Sequence, residues 1–131
     1  MARCRAAVVI QAAIAALHAE ARRPGETDWP QIVSLYDALL RLEPSPVVAL
    51  NRAVAVAMAE GPERGLLLIE AIEPAGVLQE YLYYHAARAD LLRRLGRRDA
   101  ARDAYQRALD LAGSAPERQF LSARLQALSV G

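Results

Sequence analysis

The chain has 131 residues, of which 54% are hydrophobic and 24% charged, and its 16 basic and 15 acidic residues leave a net charge of +1. This length and apolar content fit one globular domain and exclude a disordered chain, and the balanced charge excludes the strongly basic surface of a typical nucleic-acid binder. Aromatic residues make up only 5% of the chain, and no alternating β-branched run occurs, so we predict an all-α protein.

The first predicted helix runs from residue 5 to about residue 21 and is largely apolar. Its basic start and the small residues Ala19-Glu20-Ala21 also fit a secretory signal peptide, an alternative that stays open. Gln11 interrupts the apolar run and favours an amphipathic helix, and the run is shorter than the roughly 20 residues of a membrane span. With Cys4 as the lone cysteine, no internal disulfide is possible, and we expect a cytoplasmic protein without a membrane segment.

The second predicted helix follows a polar turn that contains Pro24-Gly25. Thr27 or Asp28 can cap its first turn, and the next residue, Trp29, is interpreted as a packing residue that seals the turn against the first helix. Pro44-Ser45-Pro46 ends this helix, because each proline disfavours helix in the residue before it.

The third predicted helix spans about residues 47–59 and is apolar except for Asn51 and Arg52. A helix that is apolar almost all round is expected to be buried. Gly61-Pro62 then turns the chain into a fourth helix over 63–72.

Two amphipathic helices are predicted on either side of Gly96, within residues 84–111. Glycine can adopt the left-handed conformation that ends a helix, and Arg93 and Arg94 precede it where the helix dipole favours cations. A last helix opens at Ser114, whose spacing from Glu117 is that of a capping box.

The residues around Gly96 follow an order of small, large, glycine, alanine, aromatic, alanine and leucine that resembles the tetratricopeptide (TPR) pattern, with a repeat of about 34 residues. The residues that carry it are Ala89, Leu92, Gly96, Ala101, Tyr105, Ala108 and Leu109. Tyr36, Ile69 and Tyr105 occupy equivalent places at nearly constant intervals. We therefore predict a single domain over 1–131 in which antiparallel helical hairpins stack as a TPR-like array of about seven helices. Its three degenerate repeats lie near 5–43, 46–73 and 77–112, with a capping helix at 115–129.

No set of residues predicts an enzyme, a metal site or a cofactor site. His18 and His85 lie on different helices without other ligands at metal-binding spacing, and the chain has no phosphate loop or nucleophile motif. A TPR array would turn one face of the third and fifth helices toward a partner. The candidate partner-binding residues on that face are Asn51, Arg52, Tyr83, Asp90, Arg93 and Arg94.

Asparagine and arginine on such a face can hold a peptide carboxylate or backbone. For Asn51 and Arg52, an internal partner such as Asp90 or Glu20 is an equally good explanation, because polar groups in an apolar helix need partners. The arginines around Gly96 are interleaved with acids and are interpreted mainly as a solvated face.

Three strings go beyond a generic repeat and closely resemble the C-terminal extension of bacterial extracytoplasmic-function (ECF) RNA polymerase sigma factors. They are QAAIAALHAEA (11–21), DWPQIVSLYDALLRLEPSPVVALNRAVAVAMAEGPERGL (28–66) and HAARADLLRRLGRRDAARDAYQRALDLAGSAPERQFL (85–121). In that family the extension is a TPR-like domain that follows the two sigma domains that bind polymerase and promoter. Both of those domains are missing here, so no direct DNA binding is expected.

The resemblance implies a regulatory module that controls the sigma domains in cis or docks a regulator or peptide. Two alternatives are a free-standing TPR adaptor that binds a peptide or protein, and an enzyme, such as a hydrolase, whose site follows no recognised motif. Apolar surface left over on the first or the last helix makes a homodimer possible.

Overall fold

The computed structural model describes residues 2–20, 24–72, 76 and 78–130. These residues form seven α-helices and no strand, which confirms the all-α prediction. The helices are α1 (Ala2–Glu20), α2 (Trp29–Leu42), α3 (Pro46–Glu60), α4 (Pro62–Ile72), α5 (Leu82–Arg94), α6 (Arg98–Leu111) and α7 (Ala115–Val130), with a 3-10 turn at Pro24–Glu26 before α2. The predicted end of the first helix at residue 21, the turn residues 22–23 and the predicted helix break at 73–75 lie outside the described residues.

The chain divides into two compact units, Met1–Gly65 and Leu66–Gly131. The boundary falls inside α4, whose first four residues belong to the first unit. The single domain of three repeats therefore stays a prediction.

Local signals in the sequence fix where several helices begin and end. The Asp28 carboxylate accepts a hydrogen bond from the Gln31 backbone N–H at 3.2 Å, and the Ser114 hydroxyl accepts one from the Glu117 N–H at 3.3 Å. Each bond satisfies a donor that the first turn of a helix leaves without a partner. Gly96 has a φ of +77°, which is the left-handed conformation predicted for the turn between α5 and α6.

In the first unit, α1, α2 and α3 pack around two apolar clusters. One cluster joins Ala7, Leu39 and Val48, and the other joins Ile14, Ile32 and Ala55. From the first cluster to the second, the residue number rises by seven in α1 and in α3 but falls by seven in α2. It follows that α2 is antiparallel to both neighbours and that α3 runs parallel to α1.

The third helix is buried along most of its length, as predicted for an apolar helix. Six of its residues expose less than a tenth of their surface: Val48, Leu50, Ala53, Ala55, Val56 and Ala57. The start of α4 lies against it, because a Cβ added at Gly65 would come within 3.0 Å of the Ala53 carbonyl oxygen. Trp29 packs against α1, as predicted, since its ring lies edge-on to the ring of His18 with the ring centroids 5.2 Å apart.

In the second unit, α6 is antiparallel to α5, and α7 runs alongside α5. Arg93, near the end of α5, donates to the Tyr105 hydroxyl on α6 at 3.4 Å, whereas Glu80, just before α5, meets Arg107 near the end of α6 at 3.3 Å. α5 also contacts α4, through Arg88 and Glu70 at 3.7 Å. Among the described residues, no helix combines the length and the hydropathy that crossing a membrane requires.

Candidate functional site

The six predicted partner-binding residues are distributed over both units. Asn51 and Arg52 lie on α3, in the first unit. The other four, Tyr83, Asp90, Arg93 and Arg94, lie on α5, in the second unit.

Arg52 has a partner within its own unit. Its Nε–H donates to the carboxylate of Asp37 on α2, and both side chains are partly exposed. The prediction of an internal partner is thus confirmed for Arg52, but the partner is Asp37, which sequence reasoning did not identify. The side chain of Glu20, one of the predicted partners, lies outside the described side chains. Arg52 therefore ties α2 to α3 through this ion pair.

Asn51 is exposed and lines a cleft of about 300 Å³ between α1 and α3, with α2 as its floor. The lining residues are Gln11, Ile14, Ala15, His18, Tyr36, Leu39, Val48 and Asn51. Gln11, His18 and Asn51 supply hydrogen-bonding groups, and no residue of the lining is an acid, an arginine or a lysine. Burial raises the pKa of the Tyr36 phenol, and its hydroxyl can donate a hydrogen bond. The cleft is suited to neutral polar groups such as backbone amides.

A second groove, of about 290 Å³, lies between α5 and α7 in the second unit. It is lined by Leu82, Tyr83, Ala86, Pro116, Glu117, Phe120 and Leu121. Tyr83 and Phe120 leave 53% and 54% of their surface exposed. Two large rings thus lie on the surface beside an apolar groove, where they can contact a partner's apolar side chain.

Polar groups at this groove come from both helices. The Tyr83 hydroxyl donates to Glu117 Oε2 at 2.9 Å. This bond, together with one from Ser114, lowers the pKa of Glu117, because hydrogen bonds stabilise its charged form. The same bond and the negative charge of Glu117 raise the pKa of Tyr83. On α7, the guanidinium carbon of Arg124 lies 5.1 Å from the centre of the Phe120 ring, within the range of a cation–π interaction.

Asp90 is the centre of an ion-pair group near the end of α5. Its Oδ1 accepts from Arg93 Nη2 at 2.6 Å, and its Oδ2 lies 3.1 Å from Arg94 Nη2. The hydrogen bonds from Arg93 to Asp90 and to the Tyr105 hydroxyl raise the pKa of the Arg93 guanidinium. Asp90 and Arg93 therefore hold this helix end together, in addition to any contact they make with a partner.

Sequence reasoning missed most of the α5–α7 groove. Tyr83 was predicted, but Pro116, Glu117 and Phe120 were assigned only to a capping helix. The repeat length is the signal that could have found them, because Tyr83 and Glu117 are 34 residues apart and Ala86 and Phe120 have the same spacing. Residues one repeat apart on parallel helices lie side by side.

The two histidines lie on different helices and in different surroundings. His85 is buried, and its Nε2 lies 2.8 Å from the Gln79 carbonyl oxygen. The ring of His18 is half of the edge-on pair with Trp29. Within the described parts of the chain, no group of three or more histidines, cysteines or acids is placed to hold a metal ion.

No family model matches the chain. It is similar to an uncharacterized protein of Rhizobium meliloti (strain 1021), with 54% identity over 121 residues. This similarity covers 92% of the chain, so it takes in both units, but only 28% of the relative. The chain thus spans less than a third of the length of the curated relative that it matches.

Proposed function

We propose that this chain is a protein-interaction module of a bacterial ECF RNA polymerase sigma factor. In this role it binds the sigma domains of the same protein, or a regulator of them, and so controls transcription initiation without touching DNA itself. The three strings that resemble the C-terminal extension of that family support the proposal. The length of the relative supports it too, because the matched region makes up only 28% of that protein, as expected for one module of a longer chain.

The observation that carries the interaction role is the α5–α7 groove. Exposed aromatic side chains beside an apolar depression are typical of the residues that dominate binding energy at protein interfaces. Tyr83 and Phe120 have this arrangement, and the Glu117 carboxylate adds an acceptor for a partner's N–H groups. The expected ligand is a segment of a sigma domain or regulator that places one large apolar side chain between α5 and α7.

The test uses the sigma domains encoded with this module, produced as a separate polypeptide, and measures their binding to the 131-residue chain by calorimetry. Phe120→Ala should weaken binding by about tenfold or more, since truncating a central aromatic anchor costs about 2 kcal/mol or more. Leu67→Ala is the matched control, because Leu67 is 59% exposed on α4 and does not line the groove. Both variants should keep the helical circular dichroism of the parent.

Other outcomes separate the remaining explanations. If the sigma domains do not bind, but an apolar peptide does so with the same sensitivity to Phe120→Ala, the chain is a peptide-binding adaptor and the sigma-factor proposal is wrong. If Asn51→Ala weakens binding and Phe120→Ala does not, the interaction site is the cleft between α1 and α3. If the sigma domains bind and none of these substitutions changes their affinity, neither the groove nor the cleft is the interaction site.

A further inference from the structure

The cleft between α1 and α3 brings together polar side chains from three helices of the first unit. Gln11 and His18 lie on α1, Tyr36 on α2 and Asn51 on α3. Among the described residues, Gln11, Tyr36 and Asn51 have no side-chain hydrogen-bond partner, and His18 makes only its ring contact with Trp29. The hydrogen-bonding groups around this cleft are therefore available to a ligand.

The rest of the lining is mainly apolar. Ile14, Leu39 and Val48 are buried members of the two apolar clusters of the first unit. A cleft that combines an apolar floor with a few polar groups is typical of small-molecule sites. Its volume of about 300 Å³ is at the lower end of the range for such sites. The cleft is therefore suited to one small molecule rather than to a folded partner.

The lining disfavours a charged ligand. No residue in it is an acid, an arginine or a lysine, and the neighbouring charges of Asp37 and Arg52 pair with each other. A charged group would lose its hydration in the cleft without meeting an opposite charge in the lining. The amides of Gln11 and Asn51 and the hydroxyl of Tyr36 can each donate and accept. A neutral carboxamide, which also donates and accepts, matches these groups.

We propose that this cleft binds a small neutral molecule that carries a carboxamide group on an apolar body. The carboxamide exchanges hydrogen bonds with Asn51 and Tyr36, and the apolar body lies against Ile14, Leu39 and Val48. The site shares no residue with the α5–α7 groove, so it does not depend on the proposed sigma-factor function.

The first test compares carboxamides with carboxylates of the same shape, added to the full 131-residue chain at pH 8. The pairs are N-acetyl-L-leucinamide and N-acetyl-L-leucinate, isobutyramide and isobutyrate, and benzamide and benzoate. At least one carboxamide should bind in the millimolar range and shift the backbone NMR signals of residues 11–18, 36–39 and 48–51. Its carboxylate should bind at least about tenfold more weakly, because nothing in the lining replaces its hydration.

The second test removes the hydrogen-bonding groups one at a time. Asn51→Ala and Tyr36→Phe should each weaken binding of that carboxamide about fivefold, which is the usual effect of losing one hydrogen bond. Gln126→Ala is the control, because this exposed amide lies on α7 and does not line the cleft, and it should leave the affinity unchanged. Circular dichroism checks that each variant folds.

The proposal is wrong if no carboxamide of the set binds, or if each carboxylate binds as tightly as its carboxamide. It is also wrong if Asn51→Ala and Tyr36→Phe both leave the affinity unchanged, or if the shifted signals belong only to the second unit. Phe120→Ala distinguishes this site from the proposed interaction site. It should weaken binding of the sigma domains and leave binding of the carboxamide unchanged.

Discussion

At the scale of single residues, the role of a polar side chain depends on the group within the chain that it is paired with. Arg52 and Asn51 are neighbours in the sequence, yet Arg52 is held by Asp37 and Asn51 lines an open cleft. Glu117 combines two roles, because it belongs to the capping box of α7 and also accepts the Tyr83 hydroxyl from α5. Its carboxylate therefore connects the start of one helix to the surface of another.

The hydrogen bonds to Glu117 predict a measurable titration. Because they favour the carboxylate, its pKa in the folded chain lies below the ordinary value of about 4.3. The stability they contribute is present above that ordinary value and is lost as the pH falls through the lowered one. NMR titration of the side-chain carboxyl carbon should show the low pKa, and Tyr83→Phe should raise it toward normal.

Tyr81→Phe is the control for this titration. The Tyr81 ring packs edge-on against Tyr83 at 5.4 Å, but its hydroxyl makes no hydrogen bond to Glu117 among those described, so the pKa of Glu117 should not change. Equal titration curves for the parent chain and Tyr83→Phe would show that the bond between α5 and α7 is not formed in solution.

At the scale of helices, local signals were sufficient to place most ends. Asp28, Gly96 and Ser114 act within one helical turn, and their predicted roles are confirmed. Contacts between helices were harder to predict, because they depend on how two helices are aligned along each other. The pair of Asp37 and Arg52 and the α5–α7 groove are of this kind, and neither follows from residues close together in the sequence.

Gly65 lies where α4 packs closely against α3. An added Cβ would press on the Ala53 carbonyl oxygen and on Ala57, and neither group can rotate away. Gly65→Ala gains about 1 kcal/mol of helix propensity, but overpacking costs about 1–3 kcal/mol. We therefore expect a net loss of about 1 kcal/mol in the free energy of unfolding, measured with urea.

Gly113→Ala is the matched comparison for this substitution. A Cβ at Gly113 has no neighbouring atom within 4 Å, so its effect should stay within about 0.5 kcal/mol. If Gly65→Ala proves as stable as Gly113→Ala or more stable, α3 and α4 are farther apart than described.

At the scale of the whole molecule, the repeat pattern predicted which helices carry equivalent residues, but not how deeply each residue is buried. Tyr36, Ile69 and Tyr105 all fall on the second helix of a predicted pair, namely α2, α4 and α6. Ile69 and Tyr105 are 0% and 1% exposed, whereas Tyr36 is only partly buried. Tyr36 lies at the floor of the cleft between α1 and α3, where neighbouring atoms are fewer.

These differences in burial predict that truncating a tyrosine to alanine costs different amounts of stability at different positions. Tyr105→Ala should cost about 3–5 kcal/mol, because it empties a fully packed site and removes the acceptor of Arg93. Tyr36→Ala should cost about 1–3 kcal/mol, because part of its ring is already in water. Urea unfolding followed by circular dichroism measures both, and equal costs would contradict the assigned burial.

The edge-on contact of Trp29 with His18 has a practical consequence. Trp29 is the only tryptophan in the chain, and His18 also lines the cleft that contains Asn51. Indole emission is sensitive to the position and polarity of neighbouring groups. A molecule that enters this cleft and displaces the imidazole should therefore change the fluorescence of the native protein, so that occupancy can be followed without attaching a dye.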